Sequence, residues 1–233
     1  MVRQPLNKPD CPVHAPCLER GMVVDAALEL LDEAGFDGLT LRRLAAKLGV
    51  KAAALYWHFK NKQDLTDQLA MAILDRGLKH NETPSNLDSL SWQELLQLAG
   101  RGMRNALLKY RDGSIIIAKA DFSQGFKFKG RDIVITGLKK RGFTAEQAFM
   151  ALFAVGRFTL GCVFEEQADP RTSEAIAACR ANITESPQDY PDAIKIFGDI
   201  DYQRVLDPDY QYEQGLAIII AGIGLEHADL GAK

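Results

Sequence analysis

A chain of 233 residues, 47% hydrophobic and 25% charged, suits one or two globular domains and excludes a disordered chain, a collagen or a coiled-coil rod. The net charge of −3, from 28 basic against 31 acidic residues, shows no global excess of either sign, so a polyanionic partner has to be sought in local charge. The longest strongly apolar run, 215–225, is interrupted by Gly222 and Gly224 and falls short of the roughly 20 residues a bilayer span needs, so no membrane partner is expected. The first 18 residues carry no secretory apolar stretch or cleavage site, which predicts a cytoplasmic protein with reduced thiols. Cys11, Cys17, Cys162 and Cys179 form no Cys-x-x-Cys pair and have no His at zinc-finger spacing. They read as plain thiols, with a redox pair of Cys11 and Cys17 as the alternative, and neither metal nor cofactor is expected.

Residues 1–17 hold Pro5, Pro9, Pro12 and Pro16, a spacing that forbids helix and predicts a disordered arm, in which Arg3, Lys8 and His14 could touch a polyanionic partner. Val23, Ala26, Ala27, Leu30 and Leu31 then recur at helical spacing opposite Asp25, Glu29, Asp32 and Glu33, and Gly35 closes a helix over 18–34. Thr40 caps a short helix with Leu41, Leu44, Ala45 and Leu48 inside, and Gly49 breaks it. A third helix is expected over 51–59, and Asn61 opens a longer one carrying Leu65, Leu69, Ile73 and Leu74. Four parts follow: an arm (1–17), a helix-turn-helix domain (18–65), a connecting helix (66–80) and a larger domain (81–233).

In the larger domain, polar residues 81–89 read as a linker, and Ser91-x-x-Glu94 is a capping box opening a helix to about residue 110. Ile115-Ile116-Ile117 suits a strand or one buried helical turn, and Phe122, Phe126 and Phe128 need somewhere to pack. A helix over 131–141 precedes a second capping box, Thr144-x-x-Gln147, heading a long helix through Phe149, Phe153, Phe158, Leu160 and Phe164. Pro170, Pro187 and Pro191 make 168–191 largely loop, and a last helix covers 210–229. In that helix Gly215, Ala217, Ala221 and Gly222 would allow close approach of a second copy, and Leu216, Ile219, Ile220 and Ile223 would supply apolar area. No repeat and no hairpin is evident; the fold class is all-α.

Function is carried by residues 39–63, which contain no Asp or Glu but hold Arg42, Arg43, Lys47, Lys51, Lys60 and Lys62. Such a segment is the electrostatic footprint of a phosphate backbone. A charge run alone is often only a solvated face; the apolar spacing beneath it decides the matter. Ala45 permits close helix approach, Gly49 takes the turn, and Val50 and Leu55 seat the next helix, the layout of a helix-turn-helix whose second helix enters the major groove. Of the two aromatic neighbours, Tyr56 is expected on DNA and Trp57 in the core.

The segment 25–65, above all Leu55-Tyr56-Trp57-His58-Phe59-Lys60-Asn61-Lys62, resembles the DNA-binding domain of the TetR family, and of tetracycline repressors in particular. The resemblance continues in Ser91-Trp92-Gln93, Ala106-Leu107-Leu108, Tyr110-Arg111-Asp112-Gly113 and the 158–165 stretch, covering 18–167 well and the last helix loosely. It implies a homodimeric, ligand-responsive repressor of a palindromic double-stranded operator, in which an effector held by the larger domain moves the connecting helix. Thr40, Arg42, Tyr56 and Lys62 fall on family positions that contact phosphates or nearby bases. Arg43 and His58 join them as candidates, with Lys51, Ala52, Ala53 and Ala54 at the specificity positions, where tetracycline repressors carry a more polar Glu-Gln-Pro-Thr type sequence. Alanine offers only a methyl to thymine, so a different operator is expected, with Lys51 and Arg42 available for guanine.

The effector positions depart further. Ile117 stands where the resemblance places a magnesium-binding His, Ala120 where it places a Thr, Leu78, Ala99 and Met103 where it places a His, an Asn and a Phe, and Val134 where it places a Gln. Glu165 alone matches, at an acidic position near the metal's water shell. With Phe122, Phe149, Phe153 and Arg157 these residues form the candidate ligand site, expected to take an apolar or aromatic effector without metal, with Arg104 or Arg157 free to pair an acidic substituent. The alternatives are a ligand-insensitive DNA-binding regulator or activator whose pocket is packed solid by Met103, Phe149 and Phe153, and an enzyme. The enzyme has no support from a phosphate loop, a nucleophile elbow or a clustered set among His14, His58, His80 and His227.

Overall fold

The computed structural model describes residues 18–80, 87–121, 129–168 and 201–230, and among them every regular element is helical. The arm 1–17, the linker segment 81–86, Phe122, Phe126 and Phe128, and nearly all of the 168–191 loop lie outside the described residues.

The first helix, α1 (Arg20–Gly38), buries Val23, Val24, Ala27, Leu28, Leu30 and Leu31, and its regular part stops at Gly35, where φ is 68° and ψ 178°. Thr40 caps α2 (Leu41–Lys47) as expected, its Oγ1 accepting the Arg43 N–H at 3.2 Å. The end of α2 is a Schellman motif: Val50 N–H reaches Ala45 O at 3.0 Å and Gly49 N–H reaches Ala46 O at 3.2 Å, with Gly49 at φ +66°. Only α3 (Ala52–Leu55) is much shorter than the 51–59 expectation. His58 and Phe59 N–H both converge on Leu55 O at 2.9 Å, a tightened turn in place of further helix that sinks Leu55 and Phe59 into the core. Asn61 then caps α4 (Lys62–His80), accepting the Asp64 N–H at 2.9 Å.

After a 3₁₀ turn at Leu87–Ser89 comes α5 (Trp92–Leu108), with both halves of the Ser91/Glu94 capping box made. The isoleucine triplet is helical, within α6 (Gly113–Lys119), and buries Ile116 and Ile117. Then come α7 (Lys129–Lys140), α8 (Ala145–Ala168) behind the Thr144/Gln147 box, α9 (Tyr202–Val205) and α10 (Pro208–Leu230). At the centre, α5 touches α4, α6, α7, α8 and α10. One apolar cluster joins α1–α4 to Ala106, Leu107, Ile116, Ile117 and Val163, so the core runs unbroken from the helix-turn-helix into the larger domain. A second, around Leu96, Leu138, Phe143, Val155, Tyr212 and Leu216, lies wholly in the larger domain.

Helix phase differs from the sequence expectation in α10. Leu216 and Ile220 turn inward onto α5 and α8, and Ile219 and Ile223 are half-buried there, whereas Ala217, Ile218, Ala221, Gly222 and Leu225 face out. Gly215 is packed under the Phe158 ring of its own chain. In α8, Ala148, Ala151, Val155, Thr159 and Val163 point in, while Phe149, Met150, Phe153 and Phe164 point out. By length and composition α8, not the 215–225 run, is apolar enough to cross a membrane, yet it packs along α5, α6, α7 and α10.

Candidate nucleic-acid interface and effector site

The helix-turn-helix exposes one polar and aromatic face. Arg42, Arg43, Lys51, Ala53 and Lys60 are exposed, as is Thr40, while Ala52, Ala54 and His58 are half-buried. Tyr56 is 58% exposed, as expected for a DNA contact, but Trp57 is 89% exposed and not in the core. The reason is phase: Leu55 and Phe59, four apart, take the inner side of the turn and leave residue 57 opposite them, a signal present in the sequence.

The six cations of the acid-free segment are not equivalent. Lys47 Nζ reaches Glu33 at 2.8 Å and Glu29 at 3.1 Å, and these bonds hold its pKa above the ordinary lysine value. Arg43 donates to Gly38 O at 3.1 Å. Lys62, placed on phosphate by the sequence, donates instead to Phe36 O at 3.0 Å and lies 4.0 Å over the Phe36 ring. The side chains of Arg42, Lys51 and Lys60 make no bond among the described residues and remain open to solvent, although the Lys60 backbone N–H donates to Asp64 Oδ2 at 3.1 Å.

The candidate effector residues fall into three groups. Ile117, Met103 and Ala120 belong to the first apolar cluster, with Met103 Sδ facing Gly156 of α8. One turn back along α5, Ala99 joins Val134 in the second cluster. Phe149 and Phe153, 40% and 39% exposed, stack on each other at 4.6 Å on the outer face of α8, and the Arg157 guanidinium sits 4.9 Å over the Phe153 ring. They therefore do not fill the interior of their own chain. Glu165 is exposed on α8; Phe122 and the Leu78 side chain lie outside the described residues.

Arg104 is not free for an effector either. Its guanidinium makes a bidentate pair with Glu166 at 2.9 and 3.0 Å and a third bond to Asp209 at 2.6 Å, and it lies 4.9 Å over Tyr212. Burial works against its charge, but these partners outweigh burial and hold its pKa above the usual arginine value. Burial pushes the Tyr212 hydroxyl up to about 12; that hydroxyl is 2.9 Å from Thr159 Oγ1. This network, buried at Arg104, Thr159 and Tyr212 and open to solvent at Asp209, ties α5, α8 and α10, and no local spacing announced it. A small cleft of about 190 Å³ between α4 and α5, floored by Ile73, Gly77 and Ala106, was equally unannounced.

Residues 23–69 match the family described as bacterial regulatory proteins, tetR family, and residues 83–226 match the tetracyclin repressor-like C-terminal domain. The chain is 41% identical over 208 residues to the tetracycline repressor protein class C of Escherichia coli, covering 88% of this chain and 90% of that one. A TetR variant from Acinetobacter baumannii AYE, solved in complex with minocycline, superposes with a TM-score of 0.67 at 33% identity, covering 90% of this chain and 98% of its own. BioQ, solved with its double-stranded DNA operator, gives a TM-score of 0.61 at 25% identity over 88% of this chain and 98% of its own. With a helix-turn-helix whose turn, cap and charged face are all in place, the chain belongs to the TetR family of transcriptional regulators, close to the tetracycline repressors.

Proposed function

We propose that the protein is a homodimeric repressor that docks α3 of each subunit into successive major grooves of a palindromic operator and is released by an apolar or aromatic effector bound without metal. The observation that carries the DNA reading is the exposure of Arg42, Lys51 and Lys60, whose side chains have no partner among the described residues, together with that of Tyr56 and Trp57. Cations held off by no carboxylate release counterions when they meet phosphate. Ala53, exposed on α3, offers only a methyl, so base hydrogen bonding falls to Lys51 and Arg42. The homodimer is supported by the outward Phe149, Met150, Phe153, Phe164, Ile218 and Leu225, too much exposed apolar surface for helices that end in water.

For the effector, the support is the burial of Ile117 and Val134 among apolar side chains, where an unpaired ligand polar group would cost on the order of 1–3 kcal/mol. A duplex selected from a randomised pool by the wild-type protein provides the test. Arg42→Ala should weaken binding to it and lower the salt dependence. Titration of the complex with magnesium-tetracycline, and separately with hydrophobic aromatic compounds, should release DNA only in the second case. Release by magnesium-tetracycline that a chelator abolishes would overturn the effector reading. A repressor with no ligand response is the second reading, favoured by the same burial of Ile117 and Val134; release by any compound in the panel rejects it.

A further inference from the structure

Two residues with left-handed backbones meet where the helix-turn-helix joins the larger domain. Gly35, at φ 68° and ψ 178°, occupies a region essentially reserved for glycine. Asp112, at the N-cap of α6, has φ 55° and is the non-glycine residue with positive φ among those described. Its Oδ2 accepts the Phe36 N–H at 2.7 Å, and a Cβ on Gly35 would lie 2.7 Å from that same oxygen. Beside it, Asp32 Oδ1 of α1 accepts the Arg111 N–H at 2.8 Å. The exchange is reciprocal: each domain contributes one carboxylate and one backbone N–H.

An N-cap aspartate ordinarily accepts from the first turn of its own helix. Asp112 makes no such cap bond. Its left-handed backbone directs the carboxylate across the boundary instead, a local cost that α6 itself does not recover. Both ends of this tie are anchored. On the larger-domain side, Gln167 of α8 accepts from Ser114 N and Oγ at 3.1 and 2.7 Å and donates to Tyr110 O at 2.8 Å, which fixes the residues flanking Asp112. On the other side, Phe36 O receives Lys62 Nζ, so the same turn holds the start of α4.

We propose that Asp112 is a positioning residue for operator binding: its carboxylate latches the α1–α2 turn to the start of α6 and thereby sets the angle at which α2 and α3 are presented. This rests on the operator reading above. The full chain is tested in three forms. Asp112→Gly keeps the left-handed backbone and deletes the acceptor; Asp112→Asn keeps an acceptor oxygen and tolerates the same backbone; Asp112→Ala loses both. Amide hydrogen exchange at Phe36 is compared with exchange at Leu44, Leu65 and Leu107, and affinity is measured for the duplex the wild-type protein selects from a randomised pool.

With Asp112→Gly and Asp112→Ala, Phe36 should exchange about tenfold faster while the three leucines are unchanged, and duplex affinity should fall about tenfold, the loss of one charge-assisted hydrogen bond. Asp112→Asn should stay within about threefold of wild type in both readouts. A Gly variant with wild-type Phe36 exchange or wild-type affinity overturns the proposal, as does an Asn variant as impaired as the Gly variant. If the wild-type protein selects no duplex, the operator reading falls and the positioning role falls with it, whereas a normal duplex with unaltered Phe36 exchange in the Gly variant rejects the latch alone.

Discussion

The α1–α4 unit and the α8–α10 pair solve the burial problem in opposite ways. In α1 the acidic residues Asp25, Glu29, Asp32 and Glu33 mark the outside and Val23, Ala27, Leu30 and Leu31 the inside, so one partner surface suffices. Through their middle turns α8 and α10 are apolar on the outer as well as the inner side. The inward positions of α8 are small or β-branched, Ala148, Ala151, Val155, Thr159 and Val163, and the outward ones are Phe149, Met150, Phe153 and Phe164. A helix stretch that is apolar on both faces needs cover on both. Large residues outside and small ones inside therefore suit a helix with two partners, the second of them the other copy in the proposed homodimer.

The comparison breaks first at that outer face. In the proposed dimer, Phe153→Glu, or Ile218→Glu on α10, would bury a charge on the shared apolar face and should raise the dissociation constant by about a hundredfold or more, in the range of an interface hot spot. Sedimentation at micromolar concentration reads this directly. Both residues are already exposed in the single chain, so helicity should not change. A variant that stays dimeric removes the open face from the interface.

Next in size is the polar cross-tie inside the larger domain. Arg104→Ala strips Glu166 of its bidentate partner at a mostly buried position and should cost about 3 kcal/mol in urea denaturation, because the charge left behind is uncompensated. Arg104→Met with Glu166→Gln should recover much of this. Equal losses in single and double variants would mean that packing over Tyr212, not charge, is what Arg104 provides.

Legibility in the sequence follows the same division. The Thr40 cap, the Gly49 turn, the two capping boxes and the Leu55 plug lie within six residues of their partners and were readable as spacing. The triplet at 115–117 could be strand or helix on local grounds, and only its packing as part of α6 decides it. Phase in α10 was not readable, since an apolar stripe is invisible against an apolar background. Lys62, Arg104 and Asp112 find partners 26, 62 and 76 residues away, and the first and last of these are backbone groups that no side-chain pattern records. Trp57 differs: its exposure follows from the Leu55–Phe59 spacing, which is local and present in the sequence.

A smaller effect isolates backbone from packing. Gly49→Ala meets nothing within 4 Å, so its only cost is the positive φ, about 1 kcal/mol, with no change in the larger domain's network. Thermal unfolding should show a modest shift for Gly49→Ala. A loss of several kcal/mol there would mean that the α2–α3 turn is held by more than its Schellman bonds.

The smallest effect separates the cations of the acid-free segment. Lys51 and Lys47 carry the same charge and lie four residues apart, and a count of basic residues ranks them equally. Lys47, however, is held by Glu29 and Glu33, so its charge is already compensated and displaces few of the cations condensed on the DNA phosphates. Lys51 has no such partner and stands at the N-cap of α3. Lys51→Ala should therefore flatten the slope of log affinity against log salt by roughly one counterion per half-site, while Lys47→Ala should leave it unchanged. The measurement is equilibrium binding to the selected duplex across a salt series. Equal flattening by the two substitutions would show that the Lys47 ion pairs open on DNA, and the phosphate-facing surface would then extend back onto α2.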